Sequence, residues 1–81
     1  MKIRVIVADD FPLIREGIVR ALKHDFAIEV VGEAATGEET IALALELRPD
    51  VITCDLRMPD LGGLAVLERL RTEAPEIRVI V

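Results

Sequence analysis

Val51-Ile52-Thr53-Cys54-Asp55-Leu56-Arg57-Met58-Pro59-Asp60-Leu61-Gly62-Gly63 is an apolar run that ends on a carboxylate and breaks into a turn. Val51–Cys54 lacks charged alternation and is rich in β-branched residues. That pattern suits a strand covered on both faces, as in a parallel sheet. Asp55 then stands at the strand's carboxyl end. The same design occurs near the N-terminus, where Ile3-Arg4-Val5-Ile6-Val7-Ala8 runs into Asp9-Asp10. Carboxylates at the ends of two buried strands have lost freedom and solvent. Such a cluster is costly unless it binds something positive, so it marks a site.

Helical patterns separate the strands. Pro12 suits a first helical turn, with Asp10 or Phe11 as cap. Leu13, Ile14, Gly17, Ile18, Ala21 and Leu22 follow on one predicted helical face, which fades near His24-Asp25. Ile28–Val31 is the second predicted strand. Thr36-Gly37-Glu38-Glu39 reads as a capping box, Thr36 capping the Glu39 amide and Glu39 reaching back. The helix beyond it turns Ile41, Ala42, Leu45 and Leu47 inward, and Pro49 stops it. A third helix starts at Gly63 or Leu64, with Leu64, Leu67 and Leu70 inward, and closes before Pro75. Ile77–Val81 is a fourth strand. Alternating βα units predict one α/β domain over residues 1–81, built on a parallel sheet with right-handed crossovers.

Bulk properties narrow the function. With 81 residues the chain holds one domain; a domain of this size buries only about 60–65% of its unfolded surface. Apolar residues make up 52% of it, enough for a core. The net charge is −5 and no basic stretch exists, which gives no support for direct nucleic-acid contact. The single Cys54 excludes a disulfide framework and fits a reducing compartment, so a cytoplasmic location is expected. The one N-terminal apolar run is broken by Arg4 and is too short for a signal peptide or membrane span.

In open parallel sheets, ligands bind at the carboxyl ends of strands where the winding direction reverses. If the first and third strands are neighbours, Asp9, Asp10 and Asp55 share one pocket. A hard divalent cation would relieve their repulsion, and Mg²⁺ prefers carboxylates, waters and a phosphate oxygen. A carboxylate so placed can also act as a nucleophile and become an acyl phosphate.

The Asp9-Asp10 pair, Asp55 and the turn Asp55-Leu56-Arg57-Met58-Pro59 with Gly63 resemble the receiver domain of bacterial two-component response regulators. The resemblance covers the whole chain. It implies a flavodoxin-like fold with strand order 2-1-3-4. It implies Asp55 as phosphoacceptor, Asp9 and Asp10 as a Mg²⁺ site completed by the Arg57 backbone carbonyl, and a sensor histidine kinase as donor. Asp9–Gly17 also resembles the subgroup carrying a LuxR-type helix-turn-helix output, which often has His where Phe11 stands. Against the family pattern of about five βα units, the chain reads as stopping at strand four. The fifth strand, the last two helices, the switch Ser/Thr and the Lys after strand five are then missing, and phosphorylation is expected to be impaired. The first helix would have to cover one sheet face alone, and strand four would be an open edge. Self-association or element swapping is therefore expected.

Two other functions compete. A receiver-like interaction module that takes no phosphate is one. The other is a phosphatase or phosphotransferase using an aspartate nucleophile, which would need a general acid beside Asp55; Asp60, past a proline turn, does not supply it. A nucleotide site lacks its Gly-rich loop, and Asp9-Asp10-Phe11-Pro12 would repel a pyrophosphate.

Overall fold

The first apolar run, Ile3–Ala8 (β1), lies inside a four-stranded sheet with Ile28–Ala34 (β2), Val51–Cys54 (β3) and Arg78–Ile80 (β4). A computed structural model describes all residues, Met1–Val81. The strand order is β2-β1-β3-β4, and every pairing is parallel. Three helices connect them: Pro12–Leu22 (α1), Gly37–Leu47 (α2) and Gly63–Glu73 (α3). The predicted α/β fold and strand order are those observed.

The two sheet faces differ in cover. Ile6, Ala8, Ile52 and Cys54 point into the larger core, where Ile41 and Ala44 of α2 and Val66 and Leu70 of α3 close over them. Val5 and Val7 point the other way and meet Val19 of α1, with Ile18 and Leu22 half-buried beside them. This side-to-side alternation along β1 explains why its sequence is apolar throughout.

Several boundaries and faces differ from expectation. β2 continues past Val31 to Ala34 although Gly32-Glu33-Ala34 has weak strand propensity. A register shift between Val5 and Ile6 lets β1 pair Ile6 with Gly32, Val7 with Glu33 and Ala8 with Ala34, so the partner strand overrides the local preference. β4 is shorter than predicted; Ile77 is buried just ahead of it. In α1 the predicted face holds only at Ile18 and Leu22. Leu13 is 84% exposed and Ile14 53% exposed. The stripe against the sheet is instead Arg15, Ile18, Val19 and Leu22, spaced i, i+3, i+4, i+7. In α2, Ala42 is exposed while Thr40, Ile41 and Ala44 are buried. In α3, Leu64 is exposed and Val66 takes the inward place. Pro49 does end α2: Arg48 leaves the helix in the left-handed region at φ 49°.

Candidate acidic site at the strand ends

β1 and β3 are hydrogen-bonded neighbours, in register from Val5–Val51 to Ala8–Cys54. Their carboxyl ends are therefore level, and the Asp55 amide continues the ladder by donating to the Ala8 carbonyl at 2.9 Å. That register brings three carboxylates together. Asp9, Asp10 and Asp55 each offer an oxygen, all within 4.8 Å of one another.

The three side chains are held differently. Asp9 is buried, and its Oδ1 accepts from the Phe11 amide at 2.9 Å. Asp10 is half-buried, and its Oδ1 is shielded from solvent with no hydrogen-bond partner. A buried carboxylate oxygen without a donor is costly, and a cation supplies what it lacks. Asp55 is half-buried and receives only a long contact, 3.4 Å, from the Arg57 amide. Asp10 and Asp55 open into a shallow hollow walled by Phe11, Leu56, Arg57, Met58 and Pro59. The donor set is all oxygen, acidic, and left with spare lone pairs, which fits a hard divalent cation such as Mg²⁺.

The site is framed by close approaches. Gly63, the first residue of α3, lies against the end of β3; a Cβ there would sit 2.7 Å from the Asp55 carbonyl oxygen. Cys54, immediately before Asp55, is buried. Burial, then the Asp55 and Asp9 carboxylates, push its thiol up to about 11, so it stays a protonated core residue and not a nucleophile.

Sequence reasoning missed two residues that organise these loops. Arg15 donates from Nη1 to the Asp9 carbonyl at 2.8 Å and from Nε to Glu33 at 3.2 Å. A charged residue on the sheet-facing stripe of α1 was the available signal. Asp60 accepts from the amides of Gly37 and Glu38 at 2.8 and 2.9 Å. These partners are more than twenty residues away in sequence, and no local pattern announces them. The Thr36 cap is as predicted, its hydroxyl accepting from the Glu39 amide at 3.1 Å. Glu39 reaches back one residue further than expected, to the Ala35 amide at 2.7 Å.

Comparison with known proteins gives a concordant result. The family model described as the response regulator receiver domain matches residues 5–81. The response regulator GacA of Pseudomonas viridiflava is 45% identical over 78 residues, covering 96% of this chain and 36% of that protein. The signal receiver domain of the response regulator NarL from Mycobacterium tuberculosis superposes with a TM-score of 0.93 at 44% identity, covering 96% of this chain and 63% of that one. A LuxR-family two-component response regulator from Aurantimonas gives a TM-score of 0.92 at 32% identity, over 98% of this chain and 56% of that one. The chain thus spans a little over a third of the length of the curated relatives it matches.

Proposed function

Because this chain belongs to the response regulator receiver domain family, we propose that it is a phosphoacceptor signalling module in which Asp55 takes a phosphoryl group from a phosphohistidine of a sensor histidine kinase. The observation that carries this reading is the convergence of Asp9, Asp10 and Asp55 oxygens within 4.8 Å at the carboxyl ends of β1 and β3. An Asp55 carboxylate oxygen attacks phosphorus, the P–N bond to the donor imidazole breaks, and an acyl phosphate remains. Asp9 and Asp10, with Asp55 and the Arg57 backbone carbonyl, are the residues that would hold Mg²⁺. When bound, the ion supplies positive charge against the phosphoryl oxygens. The reading is of a module modified once per signal, not of an enzyme with turnover, in keeping with the receiver family. A cytoplasmic setting and a LuxR-type transcriptional output extend it, supported by the reduced Cys54, the Asp9–Gly17 stretch and the LuxR-family relative. No helix of the structure is long and apolar enough to cross a membrane.

The test is a ¹H–¹⁵N titration with Mg²⁺ followed by beryllofluoride. Amides of Asp10 and of Asp55–Met58 are expected to shift with Mg²⁺ and again with beryllofluoride, with a bound ¹⁹F resonance. Unmoved spectra with both reagents would leave only the phosphate-independent interaction module.

The same polypeptide is further proposed to self-associate through β4. That strand pairs on one side only, with β3, and Ile80 and Val81 are 59% and 48% exposed. An open β-branched edge is a template for pairing. Sedimentation of the 81-residue chain at high micromolar concentration is expected to show oligomer, shifted toward monomer by Ile80→Lys. A compact monomer for the unaltered chain would overturn the idea.

A further inference from the structure

The β3–α3 connection, residues 55–62, carries the hollow's wall residues Leu56, Arg57 and Met58, so its placement sets the site. Its ends are tied to regular structure. The Asp55 amide bonds to Ala8, and the Gly63 amide bonds to the Leu56 carbonyl at 3.1 Å. The stretch between is anchored elsewhere, on α2. A helix start leaves its first amides without internal partners. In α2 the Glu39 amide is taken by the Thr36 hydroxyl, and the Gly37 and Glu38 amides are both taken by Asp60, one carboxylate oxygen each. Leu61 lies directly on Gly37; a Cβ at Gly37 would sit 2.5 Å from the Leu61 Cβ and from its carbonyl oxygen. The loop is thus seated on α2 by a bidentate charged contact at Asp60 and a close fit at Leu61.

We propose that Asp60 is a positioning residue for the phosphoacceptor loop: by clamping the first two amides of α2 it fixes where Arg57 and Met58 stand beside Asp55. The inference rests on the phosphoacceptor reading above. The chemistry of the contact supports the strength of the clamp. Charge-assisted bonds from backbone amides, aligned with the positive end of the helix dipole, favour an ionised carboxylate. Accordingly the Glu38 amide, then those of Gly37 and Leu61, hold the Asp60 carboxyl below its ordinary 3.8. For a lowered carboxyl, the contribution is fully present above the ordinary value. It is lost as pH falls below that value through the folded one. The clamp is therefore closed throughout the neutral range.

The test compares Asp60→Ala and Asp60→Asn in the whole chain, with Mg²⁺ alone as the probe, at a temperature where each is folded. Asp60→Ala is expected to bind Mg²⁺ roughly tenfold more weakly, as loss of an outer-shell support does. Its Gly37 and Glu38 amides should exchange faster, and the signals of Arg57–Leu61 should show added motion. Asp60→Asn keeps one acceptor oxygen but meets the second amide with its own NH2 donor, so it should fall between the unaltered chain and Asp60→Ala, with one of the Gly37 and Glu38 amides released; that partial loss carries the test if the alanine variant does not fold. Unchanged Mg²⁺ affinity and unchanged loop order in the variants, whatever happens to thermal stability, would overturn the proposal. Should the unaltered chain show no Mg²⁺ response at Asp55, the phosphoacceptor reading fails instead, and loop order in the Asp60 variants still judges the clamp.

Discussion

Asp55→Asn is expected to reduce Mg²⁺-dependent labelling from acetyl phosphate to background while leaving the fold intact. The carboxamide keeps the shape of the side chain but removes the anionic oxygen that would attack phosphorus. The label on the unaltered protein should be acid-labile and sensitive to hydroxylamine, as an acyl phosphate is. Label that survives in Asp55→Asn would place the acceptor elsewhere. The substitution has a second expected effect, opposite in sign to ordinary loss of function. Three carboxylates with oxygens within 4.8 Å repel one another. At such separations a like-charge pair costs roughly 1–4 kcal/mol for effective dielectric constants of about 20–80. Removing one charge should leave the metal-free protein as stable as before or more so. It should also shrink the rise in Tm that Mg²⁺ produces, because one of the ion's ligands is gone. Both readouts come from thermal melts with and without Mg²⁺, independent of any phosphodonor.

Much of this site was legible because its geometry follows from local pattern plus one topological rule. Runs such as Val51–Cys54 admit few readings, and a carboxylate at the end of each strand is visible directly. The habit of parallel sheets to bind ligands where the winding reverses made the carboxylates one site only if those strands are neighbours; the order 2-1-3-4 that makes them so came from the family resemblance. The pairing of β1 with β3 then brings Asp9, Asp10 and Asp55 into one cluster. What was not legible depends on orientation or on distant partners. The face of α1 was misread because Leu13 and Ile14 are apolar yet point outward, while Arg15 sits on the sheet side and spends its donors on the Asp9 carbonyl and Glu33. Hydrophobic periodicity alone ranks an arginine last for that position. The extension of β2 through Gly32 to Ala34 comes from the neighbouring strand and not from its own residues. Asp60 was weighed as a possible general acid and set aside. Its role appears only when the free amides of α2 are counted and found to be satisfied from across the molecule. As expected, α1 is the one helix on the Val5 and Val7 face of the sheet, where it packs on β1 and β2, while α2 and α3 close the other face.

Ile52→Ala is expected to be the most damaging core change, and to act on the site through the fold. Ile52 is fully buried in β3, opposite Ile6 on one side and Val79 on the other, beneath the α2 and α3 side chains. Truncating a buried isoleucine to alanine costs about 2–5 kcal/mol, from lost transfer energy plus the cavity left behind. The total stability of a chain this size is of the order of 4–12 kcal/mol. One substitution therefore removes a large share of it. Urea unfolding followed by far-ultraviolet circular dichroism is expected to show the midpoint falling by about 2 M or more at constant slope, given slopes near 1 kcal/mol/M for small domains. Leu13→Ala is the matched control: Leu13 is equally aliphatic but largely exposed, and its loss should change stability by no more than about 0.5 kcal/mol. Similar midpoints for the two variants would mean that Ile52 is not in the core. The functional consequence follows from the strand. Asp55 lies three residues beyond Ile52 and is held level with Asp9 only while β3 stays in register with β1. In Ile52→Ala the Mg²⁺ response at Asp55 should disappear at the urea concentration where the sheet melts, and not before. An acidic cluster assembled by strand register cannot outlast the register.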